Sequence, residues 1–226
     1  MLHESPVLDR MRAQITQWQA AADRRAVFLD CYARMTRNTL SALERGDFHD
    51  ADWVGRLVQH FAGYYFAALD AYERDPHGAP AVWQLAHDAA RDPLVLPLQH
   101  LLLGVNAHIN YDLALAMADM LRPEWETLGE TERDARRHDF QHVNHVIATT
   151  IDEVQADVLD PAMPIMALVD IAMGPVDEMI ISSLLTGWRD AVWQHAVRLL
   201  SAAEEPTQVI QQIESNAIRL ASLIAV

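Results

Sequence analysis

The sequence predicts an all-α protein with roughly eight helices, folded as a single domain over residues 1–226. Apolar residues recur at helical spacing in several segments, for example at Val7, Met11, Ile15 and Trp18. No segment shows sustained alternation of apolar and polar residues between hairpin turns, which would indicate a β-strand. The breaks between helical segments are short, as in helical bundles. No Gly/Ser/Pro-rich linker divides the chain, which is long enough to enclose one large core.

The helix boundaries are predicted from residues that cap or break helices. Gly46 is expected to end the second helix, and Asp50 or Asp52 to cap the third. Pro123 is expected to end the longest apolar helix, because proline disfavours helical backbone in the residue before it. The predicted ranges are 6–23, 25–43, 53–73, 81–91, 94–121, 131–158, a short apolar helix before Gly174, 174–200, and a last helix from Pro206.

The other helices are organised around the predicted helix at 94–121. The nineteen residues between Asp92 and Asp112 carry no formal charge, which predicts that this helix is buried. The stretch is too polar to be typical of a membrane span, since it contains Gln99, His100, Asn106, His108 and Asn110. A buried imidazole or amide needs a hydrogen-bond partner, a metal ion or a wet cavity. We therefore expect the functional site on this helix.

The composition excludes several classes of partner. The chain has 17 arginines, no lysine and 32 acidic residues, and its formal net charge of −15 repels phosphate backbones and anionic lipid head groups. We expect a small-molecule substrate, no nucleic acid and no membrane, while the sequence leaves open whether the chain forms an oligomer. Cys31 is the only cysteine and the first residues contain no apolar segment of signal-peptide length, so we expect a cytoplasmic location.

Two pairs of polar residues lie on opposite faces of the predicted central helix. At about 100° per residue, His108 and Asp112 share one face. Asn106 and Asn110 share nearly the opposite face. Both faces of this helix are therefore expected to make polar contacts inside the protein.

The predicted helix at 131–158 has a histidine stripe, made of His138, His142 and His145, opposite an apolar stripe. We expect His138 to be exposed, because Arg136, Arg137 and Asp139 surround it. Between Phe140 and Ile151 there is no Arg, Asp or Glu, and a solvated face of that length would normally carry some. His142 and His145 are therefore expected to be enclosed.

These two helices together suggest a metal site. Residues spaced by three or four on a helix point the same way, so each helix offers two ligands to one ion. The candidate metal-binding and catalytic residues are His108, Asp112, His142 and His145. Nitrogen and carboxylate ligands suit Zn²⁺, Fe²⁺ or Mn²⁺, with three residues as ligands and the fourth as general base. The candidate substrate-binding residues are Asn106, Asn110, Tyr111 and Tyr64.

Two other interpretations use the same residues. In one, the chain is a metal-free helical pocket that binds an apolar small molecule, as a cyclase, an isomerase or a binder of specialised metabolism, with histidine as acid or base beside a carboxylate. In the other, these residues form a hydrogen-bonded network that fixes the packing of the helices in a structural or interaction protein. We expect a metal-dependent enzyme that acts on a small, largely apolar molecule, and these two interpretations are the alternatives to it.

The block LLLGVNAHINYDLALA, with AGYYFAAL before it and HDFQHVNHV after it, resembles a bacterial family catalogued as domain of unknown function 5995. The resemblance covers about residues 53–155, and its N-A-H-I-N-x-D-L core is distinctive. The family name implies no activity, so the expectations about function above rest on the residues alone.

Overall fold

The chain folds into helices throughout the part that the computed structural model describes, namely the backbone of residues 5–154 and 176–225 and the side chains of residues 5–150 and 183–225. No strand occurs in those residues, so the all-α prediction is confirmed. The helices are α1 (Pro6–Ala20), α2 (Arg25–Arg45), α3 (Ala51–Arg74), a 3₁₀ turn (Pro76–Gly78), α4 (Ala81–Arg91), α5 (Pro97–Asn106), a π-helical segment (Ala107–Leu113), α6 (Ala114–Leu121), α7 (Glu130–Val154), α8 (Val176–Leu200) and α9 (Pro206–Ile224).

The predicted capping residues set the helix ends. Gly46 follows α2 in the left-handed conformation, at φ 78°, which glycine adopts without steric cost. The carboxylate of Asp50 accepts a hydrogen bond from the backbone N–H of Trp53 at 2.8 Å and caps α3. The helix predicted at 94–121 begins later, at Pro97. Proline is favoured in the first turn of a helix, and the side chain of Gln99 accepts a hydrogen bond from the backbone N–H of Leu96, the residue before Pro97.

The segments α5, π and α6 run without a break from Pro97 to Leu121, and we call them the central helix. When these three segments are counted as one helix, the described residues contain eight helices besides the 3₁₀ turn. Helices α2, α3, α4, α8 and α9 all pack against the central helix. Its buried residues include Leu103, Leu113 and Met117, so the prediction of a buried central helix is confirmed.

Helix α7 packs chiefly against α2 and α8. It turns its apolar stripe inward, and Phe140, Val146 and Ile147 are all at least 94% buried. Burial of apolar area stabilises the fold by about 25 cal/mol per Å², whereas a histidine is well solvated in water. This difference decides which face of α7 points to the core.

None of the helices in the described part of the chain is long and apolar enough to span a membrane. The end of the predicted 131–158 helix and the predicted short helix before Gly174 lie outside the described residues.

Candidate active site

A cavity of about 200 Å³ lies between α2, α3, α7, α8 and the central helix. Its walls are mainly apolar, and the side chains that form them include Phe28, Leu57, Phe61, Phe140 and Ile147. An engineered apolar cavity of about 150 Å³ is large enough to bind benzene. The cavity therefore has room for a small apolar molecule.

His108 is the one histidine among the described residues that line this cavity, and its side chain is 95% buried. Its imidazole stacks on the ring of Phe61, with 3.7 Å between the ring centroids and 8° between the planes. The ring of Tyr32 meets it edge to face at 4.2 Å. Two aromatic rings thus fix the orientation of the imidazole.

Asp112 lies behind His108, on the side of the ring away from its unbonded nitrogen. One oxygen of Asp112 is 3.1 Å from Nδ1 of His108, and both oxygens are 3.0 Å from Nε1 of Trp83, which donates its N–H. Nε2 of His108 is buried and has no hydrogen-bond partner among the described residues. The chain Trp83, Asp112, His108 therefore ends in a ring nitrogen without a partner, on a residue that lines the cavity.

Burial sets the charge state of this pair. It lowers the pKa of His108 well below its ordinary value of 6.5, so the imidazole is neutral at pH 7. Burial also raises the pKa of Asp112, against the opposite effect of the hydrogen bond from Trp83. With its proton on Nδ1, facing Asp112, a neutral His108 carries a lone pair on Nε2. Such a nitrogen can accept a proton from a molecule in the cavity.

Both members of the pair lie in the π-helical segment Ala107–Leu113. Such segments are rare, occur mostly as single wide turns within α-helices, and are frequent at functional sites. The sequence-based prediction assumed regular α-helical spacing here, and the structure corrects that assumption. The hydrogen bond between His108 and Asp112 forms nonetheless.

Gly104 allows the cavity wall to come close to the central helix. A Cβ atom at this position would lie 2.6 Å from Cδ2 of Phe28, far inside van der Waals contact. The ring of Phe28 in turn contacts His108 edge to face, at 5.8 Å between centroids. The glycine therefore supports one aromatic side of the site.

The structure brings His108 and Asp112 together but places His142 and His145 elsewhere. His145 is exposed, and the half-buried His142 meets the ring of Phe48 edge to face at 5.1 Å. The prediction that these two histidines are enclosed is wrong, because α7 buries its apolar stripe instead. No three of the four predicted ligands have ligand atoms within 4.8 Å of one another. His138 is exposed, as predicted.

The four predicted substrate-binding residues lie outside the cavity wall. Asn106 is fully buried, donates to the carbonyl of Ala217 at 2.8 Å and accepts from Asn110 at 2.9 Å, so this pair joins the central helix to α9. The hydroxyl of Tyr64 donates to Asp119 at 2.7 Å, and Tyr111 is half-buried against apolar side chains of the core. Their role in substrate binding stays a prediction.

Three residues that bear on the site were not expected to do so from the sequence: Trp83, Phe61 and Arg189. Trp83 lies on α4, Phe61 on α3 and Arg189 on α8, far apart in the chain. Each belongs to a helix whose amphipathic pattern indicates only an inward side chain. Nothing in the spacing of the residues signals that Phe61 and Arg189 line one cavity, or that Trp83 bonds to Asp112 behind it.

A second cluster lies at the surface, between the start of α3 and α7. Among the described His, Cys, Asp and Glu side chains, one group of three has its potential ligand atoms within 4.8 Å of one another. This group is His49, His138 and Asp139. The buried carboxylate of Asp139 also accepts the backbone N–H groups of His49 and Asp50, at 2.9 and 2.8 Å. Asp139 therefore anchors the start of α3, whatever else the cluster does.

Comparison with known proteins identifies the family but gives no function. No curated protein and no solved structure matched the chain. The sequence matches the family described as "Family of unknown function (DUF5995)" over residues 5–226, which is almost the whole chain. The resemblance found at residues 53–155 thus extends to the helices on either side, and the chain belongs to the DUF5995 family.

Proposed function

We propose that the chain binds a small apolar molecule in the cavity and that His108, oriented by Asp112, exchanges a proton with it. The observation that supports this is the unpartnered Nε2 of a buried imidazole in a mainly apolar wall. An unsatisfied buried nitrogen costs about 1 to 3 kcal/mol, which a ligand that bonds to it would recover.

The arrangement fits general acid–base chemistry. Asp112 and the stacked rings fix the imidazole, so little reorganisation is needed when a proton moves to Nε2. The positive charge that then develops on His108 lies 3.1 Å from the Asp112 carboxyl group, and the ionised form of that group would stabilise the charge in a medium of low polarity. An isomerase or cyclase acting on an apolar substrate would use these features.

A matched pair of ligands tests the proposal. Phenol and toluene have nearly the same shape, but only phenol can donate a hydrogen bond to Nε2. We expect the wild-type protein to bind phenol more tightly than toluene, and His108→Phe to lose that preference. His100→Phe is the control, because His100 is equally buried on the same helix but does not line the cavity.

The measurement is titration by NMR, with the His108 side-chain nitrogens as one of the signals. Equal affinity for phenol and toluene would remove His108 from the proposal. No binding of either compound would refute the pocket itself.

We also propose, as a second candidate, a divalent metal site outside the cavity. It is supported by the cluster of His49, His138 and Asp139, since two imidazoles and a carboxylate suit Zn²⁺, Fe²⁺ or Mn²⁺. The rings of His138 and His142 lie nearly parallel at 6.3 Å, one turn apart on α7, so a fourth ligand is close. A metal ion here would act independently of His108.

A further inference from the structure

The cavity wall contains a buried cation that the proposed acid–base chemistry does not use. Arg189 on α8 is 95% buried and lines the same cavity as His108. Its Nε donates to the side chain of Asn144 at 2.6 Å, and one Nη donates to the carbonyl of Phe140. The guanidinium carbon also lies 4.1 Å from the centroid of the Phe140 ring.

No carboxylate forms an ion pair with Arg189 in the described part of the chain. Burial lowers the pKa of Arg189 to about 9, against the smaller opposite effect of Asp190, so the group is still a cation at neutral pH. The carboxylate of Asp190 accepts a hydrogen bond from Gln141 instead, at 3.4 Å. A buried cation without an ion pair is costly, and an anionic ligand would offset that cost.

Arg189 also has unused hydrogen-bond donors. A guanidinium has five N–H groups in a fixed planar array. Two of them are accounted for by Asn144 and Phe140, which leaves three for a ligand. A planar carboxylate fits this array, because its two oxygens can accept two parallel N–H bonds.

The threonine hydroxyls of Thr39 and Thr150 in the wall are already committed to the protein. Thr39 donates to the carbonyl of Met35 at 2.9 Å, and Thr150 donates to the carbonyl of Val146 at 2.7 Å. The hydroxyls of Tyr32 and Thr36 in the wall have no hydrogen-bond partner among the described residues, but they carry no charge, so Arg189 is the cavity-lining group that attracts an anion most strongly. The rest of the surface offers little attraction for anions, since the formal net charge is −15.

We propose that the ligand of the cavity is a compact apolar molecule carrying one carboxylate, which Arg189 binds while the apolar body fills the cavity. This inference rests on the proposed function, because it names the substrate class for the same cavity. A cavity of about 200 Å³ holds roughly eight non-hydrogen atoms, scaled from the six of benzene in about 150 Å³. A medium-chain fatty acid or a small aromatic acid has this size.

The test compares octanoate with 1-octanol, which share one chain and differ in the charged group. Calorimetric titration of the wild-type protein is expected to show at least tenfold tighter binding of octanoate. Arg189→Met is expected to lose that preference while its affinity for 1-octanol changes by less than threefold. Arg189→Lys keeps the charge but not the paired N–H bonds, so it should retain part of the preference.

Arg198→Met is the matched control, because Arg198 lies on the same helix at the surface and pairs with Glu204. It is expected to bind both compounds as the wild type does. Equal binding of octanoate and 1-octanol by the wild type would overturn the inference and leave the pocket intact. Failure of both compounds to bind would refute the proposed function as well. If Arg189→Met does not fold, the inference is judged from the ratio of the wild-type affinities for octanoate and 1-octanol and from the same ratio in Arg189→Lys.

Discussion

The carboxyl group of Asp112 lies 3.1 Å from Nδ1 of His108, one turn along the central helix, with both side chains at least 95% buried. Trp83 donates to the same carboxyl group from α4. The carboxyl group therefore accepts from one side and orients an imidazole on the other. This arrangement determines which nitrogen of His108 is left without a hydrogen-bond partner.

We expect Asp112→Asn to destabilise the protein by about 1 to 3 kcal/mol and to abolish the preference for phenol over toluene. The amide N–H₂ of asparagine would point at either the Trp83 N–H or the Nδ1–H of His108, and two donors cannot bond to each other. His108 would move its proton to Nε2 to relieve this conflict. Chemical denaturation and the phenol titration measure the two effects.

Asp119→Asn is the control for this substitution. Asp119 lies near His60 as Asp112 lies near His108, with 3.4 Å between the ring nitrogen and the carboxylate, but both side chains are more than 40% exposed. We expect a change in the free energy of unfolding within about 0.5 kcal/mol, as for most exposed pairs. Equal effects of the two substitutions would show that burial does not matter to the pair.

We expect Gly104→Ala to destabilise the protein by about 1 to 3 kcal/mol, because the new Cβ would overlap the ring of Phe28, which lies 2.6 Å away. The displaced ring would also narrow or distort the cavity, so affinity for toluene should fall. Gly63→Ala is the control, because Gly63 lies within α3 and a Cβ atom there would meet nothing within 4 Å.

At Gly63, which is helical, alanine is expected to stabilise the protein by roughly 0.5 to 1 kcal/mol, because alanine reduces the conformational entropy of the unfolded chain. The two substitutions add the same methyl group and should have opposite signs in urea unfolding. A Gly104→Ala protein as stable as the wild type would mean that Phe28 can move freely.

The sequence was sufficient to predict most helix ends, because capping and breaking residues act locally. Gly46, Asp50 and Pro206 each set a boundary within a few residues of themselves. The pairing of His108 with Asp112 was also predictable, since both lie one turn apart on one helix. Local spacing alone determined these features.

The orientation of α7 and the cavity itself could not be predicted in the same way. Periodicity showed two stripes on α7 but did not show that burial of Phe140 would outweigh any use for His142 in the core. The cavity wall joins Phe61, His108 and Arg189 from three helices, so its shape depends on tertiary packing. Such contacts leave no pattern in the sequence.

We expect any Zn²⁺ that the protein binds to depend on His138. In the described residues, three ligand atoms come within 4.8 Å only at His49, His138 and Asp139. Equilibrium dialysis of the untagged protein should find less bound Zn²⁺ for His138→Ala than for the wild type, with His108→Phe unchanged. Loss of Zn²⁺ in His108→Phe and retention in His138→Ala would instead support a metal at the His108 and Asp112 pair.

Three buried histidines should make the protein less stable as the pH falls below about 6.5. Burial lowers the pKa of His87 to about 3, that of His100 to about 4, and that of His108 as well. Between these values and the unfolded value of about 6.5, the unfolded chain binds protons that the folded chain does not. The free energy of unfolding therefore falls as pH falls, and Asp112, whose pKa is raised by burial, opposes part of this loss.

His87→Phe isolates one of these contributions. His87 is 4% exposed, and its ring lies between Trp83 and Tyr72, where a phenyl ring fits. Besides burial, the charges of Arg25 and Arg91 also lower the pKa of His87. At pH 5 a histidine that cannot be protonated in the folded state costs about 2 kcal/mol relative to pH 7.

The stability of His87→Phe should therefore decline by about 2 kcal/mol less than that of the wild type between pH 7 and pH 5. Guanidinium unfolding at several pH values measures the two curves. Parallel curves would mean that His87 takes up a proton in the folded protein. Asp112 can bind at most one proton that the unfolded chain does not, so it cannot offset all three histidines, and a flat wild-type curve would contradict their lowered pKa values.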